Sequence, residues 1–393
     1  MFGKNMSKKV LTYQQARVLV NHFVEDEEVQ TWTDWFSWGI WSPHIARKSI
    51  SRTDTLAKLD VDTLTIRGSK GETASKVQVK VILKTDDPSV TTVVRYLHGT
   101  LKNTINPILK EYEEEIDLTN LDINIETPAL SQMIRDPRSR NSICSPTTVT
   151  MLLHRYGETH LLPDELAQNT YDNSYGFGNW SFAMAIAGSY GYKAYIDFLN
   201  MEDLKREIYN GYPVGVSVRY RHIEDSTSPY PYVEGAPGTT AGHLIVVTGF
   251  TVIDGVEYVL VNDPFAPDNE TTPRIYKLDQ FDEAWSNRAA YIVREKEANA
   301  GKYPTMRLKA ELVKTEIPNE YEVYYKGENI NIYNFGGRLA YTIDNNKTHG
   351  YFPKAAKNSL TISEEDIYNP NLKVYIITDL GKVYVARYYN GPK

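Results

Sequence analysis

The chain contains one cysteine, Cys144, and the residues around it set the chemistry open to it. It lies in the run Gln132 to Gly157, where Ser145-Pro146-Thr147-Thr148 and an apolar stretch follow it and a glycine closes the run. This pattern predicts a helix that begins at or just after Cys144. The unpaired N–H groups and positive dipole end of a helix start favour a thiolate over a thiol. Nucleophilic catalysis by cysteine also needs an imidazole to take and return the proton and a third group to orient that imidazole. N–H donors for the oxyanion complete the set. His243 can serve as the imidazole and Asp263 as the orienting group. Gln132 can donate its side-chain amide alongside the Cys144 backbone N–H. Taken singly, each residue has a plainer reading. A lone cysteine is a small buried apolar residue, His243 a strand-end histidine, Asp263 before Pro264 a turn former, and Gln132 a surface residue. The combination is what points to chemistry.

These residues are far apart in sequence, so the elements carrying them must bring them together. Gly242-His243-Leu244-Ile245-Val246-Val247-Thr248-Gly249-Phe250 and Tyr258-Val259-Leu260-Val261-Asn262-Asp263-Pro264 read as two strands, with Asp254-Gly255 at a hairpin-turn position between them. In an antiparallel pair the start of one strand lies beside the end of the other. His243 opens the first strand and Asp263 closes the second, so the two should meet. Asn262 competes with Asp263 for the third role. Neighbours along a strand point to opposite faces, so only one of the two can face His243.

Length and composition narrow the class. The 393 residues suggest two or three domains, and a net charge of −7 with no basic run gives no footprint for nucleic acid or an anionic membrane. One cysteine excludes an intramolecular disulfide and a multi-cysteine metal site. No apolar run is long enough to span a bilayer. The start, Met1 to Val10, carries positive charge with no apolar stretch behind it, so the expectation is a cytoplasmic protein, or a secreted one whose signal has been removed. Nothing calls for a cofactor or a metal: His154, Glu158 and His160 do not present three ligands on one helix face, and Gly336-Gly337 lacks a phosphate-loop context.

Along the chain, residues 1–30 read as a helical segment, from Ala16, Val18, Leu19, Phe23 and Val24. Residues 31–120 read as a β-rich, sandwich-like domain, with strand signals at Leu64–Ile66, Val77–Val81, and Val93 to Leu97, and a connecting segment from 101 on. Its aromatic cluster Trp32, Trp35, Phe36, Trp38 and Trp41 suits either a core and interdomain contact or a stacking platform for sugars. Residues 121–298 alternate helices and strands. Helices are expected at Pro163–Ala167, Ser181–Ala187 and 201–210, and a strand at Val214–Val218. Residues 299–393 read as an all-β module, with strands at Met306–Val313, Tyr321–Tyr325, Asn329–Ile332, Leu372–Thr378 and Lys382–Arg387. Gly336-Gly337, Asn345-Asn346 and Asp379-Leu380-Gly381 mark turns there.

Ser131-Gln132, Cys144-Ser145-Pro146-Thr147, Tyr156-Gly157, Gly242 to Phe250 and Asn262-Asp263-Pro264 together resemble the bacteriocin-processing (double-glycine) peptidase family, cysteine peptidase family thirty-nine. Gly178-Asn179-Trp180 and Gly211-Tyr212-Pro213-Val214 are similar to its soluble bacterial branch. So is a preceding β-rich region with Trp38-Gly39-Ile40-Trp41-Ser42 and Val61-Asp62-Thr63-Leu64. The resemblance covers about residues 30–298 and implies an α+β, papain-like cysteine peptidase domain. In it Cys144 is the nucleophile, His243 the base, Asp263 the orienting group and Gln132 the oxyanion donor. Ser145 departs from the glycine common after the cysteine in this family and would narrow the site. Transporter members add membrane and ATP-binding domains that this chain lacks, so double-glycine leader specificity does not carry over.

The expected partner is a peptide or protein substrate, with glycan or protein contacts through the β modules, and no nucleic acid or membrane span. An acyl- or amide-transferase would use the same thioester with an amine in place of water. A non-enzymatic glycan- or peptide-binding protein on a degenerate peptidase fold is the third reading.

Overall fold

The structure, a computed structural model, describes residues 10–25, 27–41, 47–85, 94, 96–104, 110–137, 139–296, 311–325, 328–329, 338–343, 349–351, 359–378 and 381–385. The chain divides into two units, Met1–Leu109 with Thr170–Phe182, and Lys110–Asn169 with Ala183–Lys393.

The first unit is built of strands. They are β1 (Val10–Val24), β2 (Glu27–Trp32), β3 (Phe36–Trp41), β4 (Arg52–Thr53), β5 (Ala57–Asp60), β6 (Thr63–Ile66) and β7 (Thr73–Thr85). One sheet pairs β1 with β2, β3 and β7, and a second runs β4-β5-β6. The helix expected within residues 1–30 is therefore a strand followed by a second strand. Ala16, Val18 and Val20 are buried at a spacing of two, and β1 pairs from Val10 to Asn21 with the distant β7. Leu19 is buried as well, opposite Trp32 on β2, and its apolar side chain imitates a helical spacing. Tertiary pairing, with several β-branched valines, decides the segment.

The aromatic cluster divides between two environments. Phe36 is fully buried with Ala57 and Leu59, and Trp38 packs against them and donates its Nε1–H to the Asp62 carbonyl at 3.0 Å. Trp32 and Trp35 stay half-buried, with Arg17 4.8 and 5.0 Å from their ring centres and Lys80 4.4 Å from Trp35. Residues 170–182 are bound into this unit through buried Asp172. Its Oδ1 accepts from the N–H groups of Ser49 (3.0 Å) and Ser174 (2.8 Å), and its Oδ2 accepts from Asn179 Nδ2 (3.0 Å). The Trp180 N–H donates to Asp62 Oδ2 at 2.7 Å. Tyr96 and Leu97, expected in a strand, lie in irregular chain.

The second unit holds β8 (Ile123–Asn124), α1 (Cys144–Arg155), α2 (Pro163–Thr170), α3 (Trp180–Ser189, which begins in the first unit), β9 (Tyr192–Phe198), α4 (Met201–Tyr209) and β10 (Val214–Tyr220). β11 (Thr240–Ile253), β12 (Val256–Asn262), β13 (Pro273–Lys277), α5 (Leu278–Ala284) and β14 (Ala289–Lys296) follow. Their sheet runs β13-β12-β11-β10-β14-β9, with β8 added to β11. Asp254 (φ 50°) and Gly255 (φ 78°) make the two-residue turn between β11 and β12, and positive φ at both central positions matches the twist of a hairpin.

Gly249 is where β8 crosses close to β11: a Cβ there would lie 1.9 Å from the Ile123 carbonyl oxygen. Helix α4 opens with a reciprocal cap, Asn200 Oδ1 accepting from the Asp203 N–H (2.8 Å) and Asp203 Oδ2 from the Asn200 N–H (2.9 Å). Its Leu204 and Ile208, with Phe281 and Trp285, bury against Val216, Ile245, Val247 and Val259 of the sheet. Each such aliphatic side chain contributes about 1.5–3 kcal/mol.

The last part of the unit comprises β15 (Glu311–Lys314), β16 (Glu320–Tyr325), β17 (Glu328–Asn329), β18 (Arg338–Thr342), β19 (His349–Tyr351), β20 (Ser359–Thr361), α6 (Glu364–Ile367), β21 (Lys373–Thr378) and β22 (Gly381–Val385). They form two antiparallel sheets. Expectations at Ser42, Val93, Met306–Ala310, Ile330–Ile332, Gly336-Gly337, Asn345-Asn346, Asp379-Leu380 and Ala386-Arg387 lie outside the described residues.

Candidate active site

Helix α1 begins at Cys144 and has neither a side-chain cap at Ile143 nor an acidic residue in its first turn. Its N-terminal N–H groups are therefore left to interact with the thiol. From Ser145 to His154 the helix is buried, and its hydroxyl residues are each satisfied. Thr147 Oγ1 donates to the Ile143 carbonyl (2.7 Å) and Thr150 Oγ1 to the Pro146 carbonyl (2.8 Å). Thr148 Oγ1 donates to the Leu244 carbonyl on β11 (3.0 Å), and Ser145 Oγ lies 2.8 Å from the Tyr291 hydroxyl on β14. The Thr148 bond seats the helix start against the residue next to His243, and the Ser145 bond ties it to β14. They also turn the Ser145 side chain into the protein interior, so it does not narrow the site.

His243 is buried on β11, in register with Val218 of β10. Its ring is met edge-to-face by Tyr220 and Phe265, each with its centre 5.9 Å away. Nε2 lies 2.7 Å from Asp263 Oδ1. The other ring nitrogen, Nδ1, is left for the Cys144 thiol, which lies close enough for the two groups to shift each other electrostatically. Cys144 itself remains partly accessible.

Asp263 is fully buried just after β12, and its carboxylate accepts four hydrogen bonds. Oδ1 takes His243 and the Phe265 N–H (3.0 Å), and Oδ2 takes the hydroxyls of Tyr220 (2.7 Å) and Tyr276 (2.8 Å). Asn262 points away and donates Nδ2–H to the Thr127 carbonyl at 2.9 Å. It lines a cavity of about 450 Å3 with Thr127, Thr248 and Arg274, and none of Cys144, His243 or Asp263 touches that cavity.

Gln132 is buried beside this loop. Its N–H donates to the Pro264 carbonyl (2.8 Å) and its Nε2 to the Arg140 carbonyl (2.5 Å). Ser131 anchors the same turn through Oγ–H to the Ala266 carbonyl. One amide proton of Gln132 is thus committed; among the described residues the second has no partner, and the buried Oε1 has none either. His154, weighed as a metal ligand, bonds the Leu161 carbonyl through Nε2 at 2.7 Å. Among the described residues no group of three or more His, Cys, Asp or Glu side chains could hold a metal ion, and no helix is long and apolar enough to cross a membrane.

The electrostatics follow from these contacts. Burial pushes the Cys144 thiol up, but the His243 hydrogen bond and charge, with the backbone N–H groups of Leu244 and Ser145, together hold it below the ordinary thiol range. Burial pulls His243 down, yet the Asp263 charge and hydrogen bond, reinforced by Cys144, push it up to about 10. Burial also raises Asp263, and His243, Tyr220 and the Phe265 N–H outweigh it and keep the carboxylate charged. A thiol shifted down beside an imidazole shifted up favours the thiolate–imidazolium pair, an arrangement able to attack a carbonyl and then supply a proton.

Residues 124–293 match the Peptidase_C39 like family, and residues 10–101 match the Peptidase C39 N-terminal domain. Over somewhat less than half of its length, then, the chain is similar to a C39-like peptidase family. Here an α+β architecture seats a cysteine-bearing helix on an antiparallel sheet, preceded by a strand-rich region and followed by further sheets. No curated protein matches the chain. Similar solved structures include a procathepsin L 3 of the Tenebrio molitor larval midgut (11% identity, TM-score 0.33, covering 47% of this chain and 72% of that one). Another is proCathepsin B S9 from Trypanosoma congolense (15%, TM-score 0.34, covering 51% and 86%).

Tyr220, Tyr276, Phe265, Thr148 and Tyr291 were not foreseen. Tyr220 lies two residues beyond Val218, the strand partner of His243, and a register shift between the two pairs it with Thr240. That register is visible only once the sheet order is known.

Proposed function

We propose that this chain is a cysteine peptidase that hydrolyses a peptide or amide bond, with Cys144 as nucleophile, His243 as acid and base, Asp263 as the orienting group and Gln132 as an oxyanion donor. The observation that supports this reading is the buried 2.7 Å His243–Asp263 bond, with the Cys144 thiol at a helix start beside the imidazole. The Cys144 thiolate attacks the scissile carbonyl carbon. The oxyanion that forms accepts hydrogen bonds from the free Gln132 amide proton and the Cys144 N–H. His243 passes its Nδ1 proton to the departing amine as the C–N bond breaks, leaving a thioester and a neutral imidazole. Water then gives a proton to Nδ1 as its oxygen adds to the thioester carbon. Collapse expels the thiolate and releases the acid, which restores the starting pair. Throughout, Asp263 keeps the ring in the tautomer that presents Nδ1 to the sulfur.

The test is Cys144→Ala, assayed on a peptide library beside the parent protein. Loss of turnover with unchanged circular dichroism supports the assignment, and turnover that survives refutes it. Iodoacetamide should alkylate Cys144 faster than it does a free thiol at neutral pH.

A further inference from the structure

Asp263 is gripped from the side opposite His243 by two phenols on different strands, Tyr220 of β10 and Tyr276 of β13, at 2.7 and 2.8 Å. An ionised carboxylate offers about four lone-pair sites. Here all four are taken, two by the phenols and two by His243 and the Phe265 N–H. The side chain therefore has one orientation open to it and no spare acceptor for water. Two apolar rings of the same size would fill this space but leave Oδ2 buried with no donor. Burial first, and the Asp263 charge next, hold both phenols well above their ordinary titration range, so they remain donors. The titratable or charged groups that face the Asp263–His243 pair are Cys144 on α1, Tyr220 on β10 and Tyr276 on β13, with Arg274 beside Tyr276.

We propose that Tyr220 and Tyr276 are positioning residues that set the acid strength of the Cys144–His243 pair through Asp263, by fixing the carboxylate and drawing part of its charge away from the imidazole. This rests on the cysteine-peptidase reading above. With the phenols in place, the imidazolium is stable enough to keep the sulfur ionised and still acidic enough to protonate a departing amine. Without one phenol, more of the negative charge falls on Oδ1, the imidazolium is held more tightly, and the thiolate forms at lower pH. The same change makes proton delivery to an amine harder. A p-nitrophenyl ester, whose leaving group departs unprotonated, is spared that penalty.

The test uses the full chain carrying Tyr276→Phe, Tyr220→Phe, or both. The rate of Cys144 alkylation by iodoacetamide is followed against pH and read by intact mass. The acid midpoint should move down by about half to one pH unit per hydroxyl removed, on the usual net strength of a hydrogen bond. Turnover of a peptide amide should fall relative to a p-nitrophenyl ester. Where a phenylalanine variant fails to fold, site-specific 3-fluorotyrosine keeps the shape with a stronger donor and should move the midpoint up. A midpoint that does not move in folded variants, or moves in the opposite sense, overturns the proposal. If the parent protein itself alkylates with the midpoint of a free thiol, the peptidase reading fails first, and the two failures are thereby told apart.

Discussion

Replacing Asp263 by asparagine isolates the charge that holds the site together. At 2.7 Å, an imidazolium and a carboxylate attract by about 6 kcal/mol at an effective dielectric constant of about 20, equivalent to about 4.5 units of pKa. Burial of the ring opposes this, and the balance carries His243 from an ordinary 6.5 up to about 10. Asparagine keeps the shape and still accepts the Nε2 proton through its carbonyl, but it removes the charge. Burial then dominates: the imidazole falls below its ordinary range, and the Cys144 thiol, without a cation beside it, rises above its own. At neutral pH the thiolate fraction, and with it the iodoacetamide rate, should drop about 100-fold or more. The new amide would also face the hydroxyls of Tyr220 and Tyr276, whose protons lose their acceptor at about 1–3 kcal/mol each, so the thermal midpoint should fall as well. The assay is alkylation followed from acidic to alkaline pH, beside a melting curve. Alkylation of Asp263→Asn within about threefold of the parent at neutral pH would refute the charge argument.

Three further outcomes follow from the same geometry. Gln132→Ala should lower kcat about 100-fold through loss of an oxyanion donor, with KM little changed; a change confined to KM would count against that role. Asn262→Ala loses only the bond to the Thr127 carbonyl, so it should cost about 1 kcal/mol of stability in denaturant melts and leave turnover within about threefold, while a collapse of kcat would restore Asn262 as a candidate third residue. Gly249→Ala places a methyl 1.9 Å from the Ile123 carbonyl oxygen, and the forced shift of β8 should destabilise the unit by about 1–3 kcal/mol; an unchanged melting temperature would contradict the close approach.

Local sequence carried the parts of this protein that local physics governs. The hairpin of β11 and β12 follows from two apolar runs flanking Asp254-Gly255, because a two-residue turn with positive φ matches the twist of the strands it joins. The same reasoning places a helix start at Cys144 and brings His243 near the end of β12. It misread residues 10–24, whose apolar positions suit two periods at once, since pairing with β7 is a contact that no short window contains.

Tertiary structure alone decided the rest. Alternation allowed either Asn262 or Asp263 to face the histidine, and the packing of β13 and β10 selected Asp263 by surrounding it with Tyr220 and Tyr276. It also turned Ser145 inward onto Tyr291 and assigned residues 170–182 to the first unit. Residue types and strand periods are written along the chain. The sharing of one buried carboxylate among an imidazole, two phenols and a backbone N–H depends on distances between strands, which only the folded sheet defines.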